Sequence, residues 1–273
     1  AERVLVKSNI RIIGLGRRAE LVAKIQLRHS LGTSLRREVR TNLILSRLVE
    51  SHPELGRRRG FAIPRVIRSS APGRWLIEER APGVMATEAD VAAFLARYGR
   101  PFYGLTARPR AWRPVDEREQ LVAEAARLVP GAAVDPGEQP VVVALCHGDL
   151  TRTNLLRGAG GIWLVDFEVT RVMPLAFDLA NTAGHFPALA GLALAILRQV
   201  TAAKGGASAE RQFLLGLARA SLIHAAGLDA HVAGQTTLLG RSRDHALRMH
   251  ESKTQVIAEM VRAVASAAPP EVA

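Results

Sequence analysis

A single cysteine, Cys146, in 273 residues excludes an intrachain disulfide and fits a reducing compartment such as the cytoplasm. Aromatic residues make up only 4% and do not interleave with the basic ones, so the stacking platforms of single-strand nucleic-acid binders are missing. No apolar run reaches the roughly 18 residues needed to span a bilayer. Pro187 to Val200 comes nearest, but Arg198 and an alanine-rich makeup suit a buried helix better. Internal repeats and low-complexity tracts are also lacking, beyond a general enrichment in alanine. No secretory pattern is visible, because the charged start runs straight into strand-like alternation. The chain opens on Ala1 rather than methionine, as a trimmed chain or a fragment would.

What is present begins with charge. A net charge of +12 and a pI near 11.2 raise nucleic acid or an anionic membrane as partners. Residues 1–83 hold 18 Lys and Arg against 7 Asp and Glu, whereas residues 84–273 hold 19 against 18. The basic residues scatter through predicted strands and helix, apart from Arg57-Arg58-Arg59 beside Gly60. A solvated charged face accounts for this distribution. Nucleic acid is therefore disfavoured as a partner, while contact with an anionic membrane surface stays open. At 48% hydrophobic, the chain has enough apolar material for a sizeable core.

The order of elements predicts an α+β protein. Strand-like runs cover Arg3 to Lys7, Ile10 to Ile13 and Leu21 to Leu27, with hairpin chemistry from Gly14 to Arg18. Ser34 is placed to cap a helix from Leu35 to Val49. Two more strands are expected at Pro64 to Ile67 and Trp75 to Glu78. Ala81-Pro82-Gly83 is turn chemistry where the charge balance changes, so a boundary is set between 1–83 and 84–273. Beyond it, Thr87 caps a helix to Tyr98, Arg108 to Pro114 reads as an irregular linker, and Asp116 to Leu128 as a helix. Val141 to Leu145 is a buried strand, and Arg157 to Gly161 joins a hairpin. Helices are expected at about 188–203, 208–226 and 243–267.

The buried strand leads into His147-Gly148-Asp149-Leu150-Thr151-Arg152-Thr153-Asn154, with Asp166-Phe167-Glu168 following twelve positions later. An Asp and an Asn five residues apart on one loop, then a second Asp after a hairpin, form a constellation suited to phosphoryl transfer. Such transfer depends on positioning and charge neutralisation rather than covalent catalysis, and carboxylate and amide oxygens suit magnesium. Together these residues resemble the aminoglycoside phosphotransferase and choline kinase superfamily. That resemblance implies a two-lobed protein-kinase-like fold, with an N-terminal antiparallel sheet and one helix, 1–83, binding ATP. A larger, mainly helical C-terminal part, 84–273, would carry catalysis and the acceptor.

The resemblance further implies Asp149 as catalytic base, Asn154 and Asp166 as magnesium ligands, and His147 and Asp178 (in Asp178-Leu179-Ala180) as supports of the loop. An N-cap for the following helix is the plainer role for Asp178. Val22-Ala23-Lys24-Ile25 resembles the strand that presents the ATP-binding lysine, with Glu38 as the carboxylate that aims it and Glu20 and Glu50 as rivals. Gly14-Leu15-Gly16 ends eight residues before Lys24, too close for the ATP-covering loop. That loop falls at Lys7-Ser8-Asn9, where the backbone of Ser8 and Asn9 would meet phosphate. Glu78 to Gly83, including Glu79, resembles the adenine-holding segment between lobes. Arg152 and Arg171 are further candidates for contact with the transferring phosphate.

Cys146 lacks an activating base and reads as a small buried residue. His224, His231, His245 and His250 lack metal-ligand spacing. Gly148, where protein kinases place arginine, and the absence of an Ala-Pro-Glu segment after Asp166 argue against a protein kinase. A catalytically weak kinase-fold protein that binds a polyanion through its basic N-terminal part is the remaining rival. Beyond Gly184 the chain carries nine basic residues against six acidic ones. A polycationic acceptor needs an acidic pocket, so a sugar, glycoconjugate or lipid-linked saccharide becomes comparable to an aminoglycoside as the hydroxyl donor.

Overall fold

Runs rich in Val, Ile and Leu build the first three strands, β1 (Val4–Lys7), β2 (Ile10–Leu15) and β3 (Leu21–Gln26). The computed structural model describes residues 4–7, 10–16, 20–27, 35–52, 61–71, 73–112, 115–131, 134–158, 161–234, 254–264 and 266. Two compact units result, one from residues 1–102 and 145–172, the other from 103–144 and 173–273.

In the first unit, β4 (Phe61–Ala62), β5 (Val66–Ser69) and β6 (Trp75–Glu79) follow the helix α1 (Leu35–Ser51). Five strands form an antiparallel sheet in the order β1-β2-β3-β6-β5. Its register sets Ile12 and Leu76 on either side of Lys24. Helix α1 lies on a core of Ile10, Leu35 and Leu76, with Ile12 and Val39 packed against it. The buried face of α1 is mixed: Leu35 and Leu45 sit with Glu38, Thr41 and Asn42. Asn42 Nδ2 donates to the Pro64 carbonyl at 2.6 Å, and Gln26 Oε1 accepts from the Leu35 N–H at the first turn. Ser34, the expected cap, lies outside the described residues.

The same unit carries β7 (Val84–Met85), β10 (Leu155–Gly158) and β11 (Gly161–Leu164), which with β4 form a second sheet ordered β4-β11-β10-β7. Its central hairpin is the one the sequence predicts around Arg157 to Gly161. Thr87 caps α2 (Glu88–Phe94), and its hydroxyl and N–H exchange hydrogen bonds with Asp90. The helical path continues through a π turn at Leu95–Gly99 into α3 (Arg100–Thr106), longer than expected.

The second unit is mostly helical. Strand β8 (Arg108–Arg110) pairs with β9 (Val141–Cys146), which corrects the expectation of an irregular linker from Arg108 to Pro114. Pro109 lies opposite Val142 on the edge strand, where a missing N–H is tolerated. Val142 gives its own N–H to Gln212 Oε1 at 2.9 Å instead. Helix α4 (Val115–Leu128) matches the prediction closely. After β12 (Arg171–Pro174) comes a helix the sequence reading did not foresee, α5 (Leu175–His185). Residues 175–184 are all buried, so α5 has no polar face and hence no helical period to read. Helices α6 (Ala190–Lys204) and α7 (Ala209–Gly234) correspond to the next two expected helices. Of the last, 243–267, residues 254–264 are helical and the stretch before them lies outside the described residues.

Gly216 lets α7 approach α5 closely. A Cβ there would stand 2.4 Å from the Ala176 carbonyl oxygen and 2.8 Å from the Ala180 Cβ.

Candidate active site

Lys24 faces inward from β3 and is almost wholly buried. Its Nζ lies 2.5 Å from Glu38 Oε1 on α1 and 2.9 Å from Glu78 Oε1 on β6. Burial opposes the charge on Lys24, but Glu38, Glu78 and Asp166 outweigh it and hold the ammonium above the ordinary lysine value. Burial also pushes the Glu38 carboxyl up to about 7, against the pull of Lys24 and with the repulsion of Glu78 and Asp166. Glu38 Oε2 is buried without a hydrogen-bond partner. Glu20 and Glu50, the sequence-level rivals of Glu38, are exposed.

Gly148 and Asn154 shape the His-Gly-Asp loop after β9. Gly148 adopts φ +85°, and a Cβ there would lie 3.1 Å from the Val169 carbonyl oxygen, so any other residue would be strained. Asn154 Nδ2 donates to the Asp149 carbonyl at 2.8 Å and to Asp149 Oδ2 at 2.9 Å. Asn154 Oδ1 accepts from the Thr153 hydroxyl at 3.4 Å and keeps a second lone pair that could face a cation. Asp149 is half-buried with one carboxylate oxygen oriented by Asn154, the arrangement of a base held ready for a hydroxyl proton.

His147 is buried and ties this loop to the segment carrying Asp166. Its Nε2 donates to the Val165 carbonyl at 2.9 Å, and its Nδ1 accepts from the Asp149 N–H at 3.3 Å. A carbonyl can only accept, so the proton sits on Nε2 and leaves Nδ1 free to accept. The Val165 N–H bonds the Asn154 carbonyl at 3.0 Å, which pins both polar groups of Val165 to the loop. Thr170 Oγ1 donates to the His147 carbonyl, and the His147 ring packs on Phe167 at 5.5 Å. Asp166 has φ 70°, and among the described residues it is the one non-glycine with positive φ. Aspartate tolerates that left-handed conformation better than most residues. Arg37, next to Glu38 on α1, reaches the Glu168 carbonyl at 3.4 Å and links α1 to the same segment.

Asn154 Oδ1 and the Asp166 carboxylate are hard oxygen donors, as magnesium requires. Among the described residues, no group of three or more His, Cys, Asp or Glu could hold a metal alone. Two such donors would leave an ion to take its other ligands from phosphate and water.

The remaining expected residues fall elsewhere. Glu79 points to the opposite face of β6 from Glu78, where its carboxylate pairs with Arg65 and accepts from the Arg65 N–H. Ser8 and Asn9 lie outside the described residues; the flanking Lys7 and Ile10 pair in the β1–β2 ladder. Asp178 is fully buried inside the first turn of α5, with Pro174 at the N-cap, so the capping role is excluded. It accepts from the Tyr103 hydroxyl at 3.0 Å. Arg152 and Arg171 are exposed.

Glu78 is the site residue that sequence reasoning missed. Strand parity carried the signal: with Leu76 inward, Glu78 is inward too and Glu79 outward.

A model of the phosphotransferase enzyme family, APH, matches residues 11–213, a span that includes Lys24, Glu38, Asp149, Asn154, Asp166 and Asp178. The chain belongs to that family. This phosphotransferase also resembles solved structures at low sequence identity. A choline/ethanolamine kinase family protein from Mesorhizobium loti superposes with a TM-score of 0.56 at 14% identity, covering 96% of this chain and 92% of that one. An aminoglycoside phosphotransferase from Alicyclobacillus acidocaldarius gives 0.53 at 15% identity, covering 97% and 93%. An amicoumacin kinase solved with AMP-PNP and Ca2+ gives 0.54 at 16% identity, covering 94% and 88%. The shared fold is protein-kinase-like, as the loop motif implied. No curated protein sequence matches the phosphotransferase. None of its described helices is long and apolar enough to cross a membrane.

Proposed function

We propose that this phosphotransferase moves the γ-phosphoryl group of ATP, bound with magnesium, to a hydroxyl of a small molecule. The observation that carries the reading is the Asp149 carboxylate, oriented at 2.9 Å by Asn154 Nδ2 on the loop that His147 fastens to the Asp166 segment. Asp149 accepts the proton of the attacking hydroxyl as the phosphoryl group departs from ADP. Lys24, aimed by Glu38, places its ammonium on the α- and β-phosphates. Asp166 and Asn154 offer the oxygens that hold magnesium, whose charge neutralises the phosphates. The peptide backbone of β6 and the residues after it, Glu79 among them, holds the base of the nucleotide, because the Glu79 side chain is engaged with Arg65. Residues 1–83 supply most nucleotide contacts, and residues 84–273 supply the catalytic loop and the acceptor site.

The acceptor class is a sugar, an aminoglycoside-like compound, or a glycoconjugate or lipid-linked saccharide. Support comes from the family and from structures whose own names include choline/ethanolamine, aminoglycoside and amicoumacin kinases. The balance of nine basic and six acidic residues beyond Gly184 favours a neutral or anionic acceptor over a polycation. ADP release from magnesium-ATP across a panel of hydroxyl compounds tests this. Acceleration by neutral or anionic saccharides supports it, and tight turnover of aminoglycosides alone overturns the preference.

A further inference from the structure

Glu78 is a buried carboxylate aimed at the lysine that already has a carboxylate partner. Its Oε1 stands 2.9 Å from Lys24 Nζ, while Glu38 holds the same nitrogen at 2.5 Å. Of the three N–H donors of the ammonium, one hydrogen-bonds Glu38, and Glu78 adds an ion pair. A single carboxylate suffices to aim a lysine, and the second adds charge more than orientation. Glu38 and Glu78 pair with one cation and Asp166 adds its field, so with the other carboxylates charged the cluster has an excess of one negative charge when Glu38 is protonated and of two when it is ionised. Glu78 is 5% exposed, so water screens it weakly.

That excess lies where a polyphosphate would bind. Its repulsion scales with the charge of the incoming anion. Free ATP carries about four negative charges and its magnesium complex about two, so a fixed carboxylate penalises the free form about twice as strongly. We propose that Glu78 is a specificity-determining residue, which makes the nucleotide site reject metal-free nucleotide in favour of the metal-bound form. The inference rests on the nucleotide-binding reading above and adds the selectivity of that site. Glu38 cannot take this part alone, because its role in aiming Lys24 ties it to α1.

The test is calorimetric titration of ATP, in magnesium and separately in EDTA, into wild type, Glu78→Gln and Glu78→Asp. Glu78→Gln keeps the shape and removes the charge. It should tighten free ATP by about tenfold and magnesium-ATP by clearly less, so that the ratio of the two dissociation constants falls. Glu78→Asp keeps the charge and should retain a ratio near that of wild type. A ratio unchanged in Glu78→Gln, with wild type binding magnesium-ATP normally, overturns the proposal and leaves the nucleotide reading standing. Wild type that binds neither form overturns that reading and the proposal with it. If Glu78→Gln does not fold, Glu78→Met carries the same expectation. Failure of both to fold marks Glu78 as a structural counter-ion and overturns the selectivity role.

Discussion

His147 Nε2 donates to the Val165 carbonyl at 2.9 Å, and Val165 immediately precedes Asp166. One imidazole therefore joins the loop of the proposed base to the segment of the proposed metal carboxylate. Its other nitrogen accepts from the Asp149 N–H, so the ring is bonded to both segments.

His147→Ala should reduce turnover by about 10- to 100-fold, the usual cost of losing a group that orients a metal ligand. Nucleotide affinity should change less than kcat, because Lys24 is held by other residues. His147→Gln, which retains a donor amide, should recover part of the loss. Steady-state kinetics on circular-dichroism-verified protein checks this; equal losses in the alanine and glutamine variants would remove the hydrogen bond from the account.

Asp166→Ala should sharply reduce the gain in nucleotide affinity that magnesium brings while leaving a folded protein. Wild type should lose most of its nucleotide affinity when EDTA is added, and the variant should keep only the smaller preference for the metal complex that the Glu78 charge imposes. Titration under both conditions makes the comparison. A variant that gains as much affinity from magnesium as wild type places the ion elsewhere.

The raised pKa of Glu38, about 7, predicts opposite pH trends for activity and stability. Below pH 7 Glu38 takes a proton, its attraction for Lys24 weakens, and nucleotide affinity and turnover should fall. For stability the sign reverses. A carboxyl whose folded pKa exceeds its unfolded value of about 4.3 binds its proton more tightly when folded. Its contribution is fully present below that unfolded value and is lost as pH rises through 7. Glu38→Gln should flatten both profiles across pH 5 to 8. Paired activity and thermal-unfolding profiles of the two proteins read this directly, and an unaltered activity profile in Glu38→Gln would assign the titration to another group.

Gly216→Ala should destabilise the fold by about 1–3 kcal/mol, although alanine is the better helix former. The added methyl would press on the Ala176 carbonyl and Ala180 of α5. Chemical denaturation measures the difference, and a stabilised variant would show that the two helices separate at little cost.

The residues proposed for phosphate chemistry lie in short, ordered strings. Asp149 and Asn154 share one loop, and Lys24 and Glu38 sit on a strand and the next helix, so the resemblance to the family could single them out. Glu78 escaped because its importance lies in strand parity across β3 and β6 rather than in a motif. Helix α5 escaped because complete burial erases the amphipathic period that marks a helix. The β8 strand was hidden by Pro109, which looks like a linker residue until an edge position makes its missing N–H harmless. An N-cap stood beside loop support as the plainer role for Asp178 because the helix containing it had not been recognised. Acceptor choice left no comparable string, since helices beyond Gly184 would define a pocket through side chains scattered along the chain.

The most direct test follows the γ-phosphate itself. Wild type and Asp149→Asn are incubated with magnesium and ATP labelled at the γ-phosphate, alongside a panel of hydroxyl-bearing small molecules. Label should appear on a hydroxyl of at least one compound with wild type, and transfer should fall by about 100-fold or more with Asp149→Asn at unchanged nucleotide affinity. Equal transfer by the two proteins would contradict the assignment of Asp149 as base. Nucleotide binding without label reaching any acceptor would contradict the proposed small-molecule reaction.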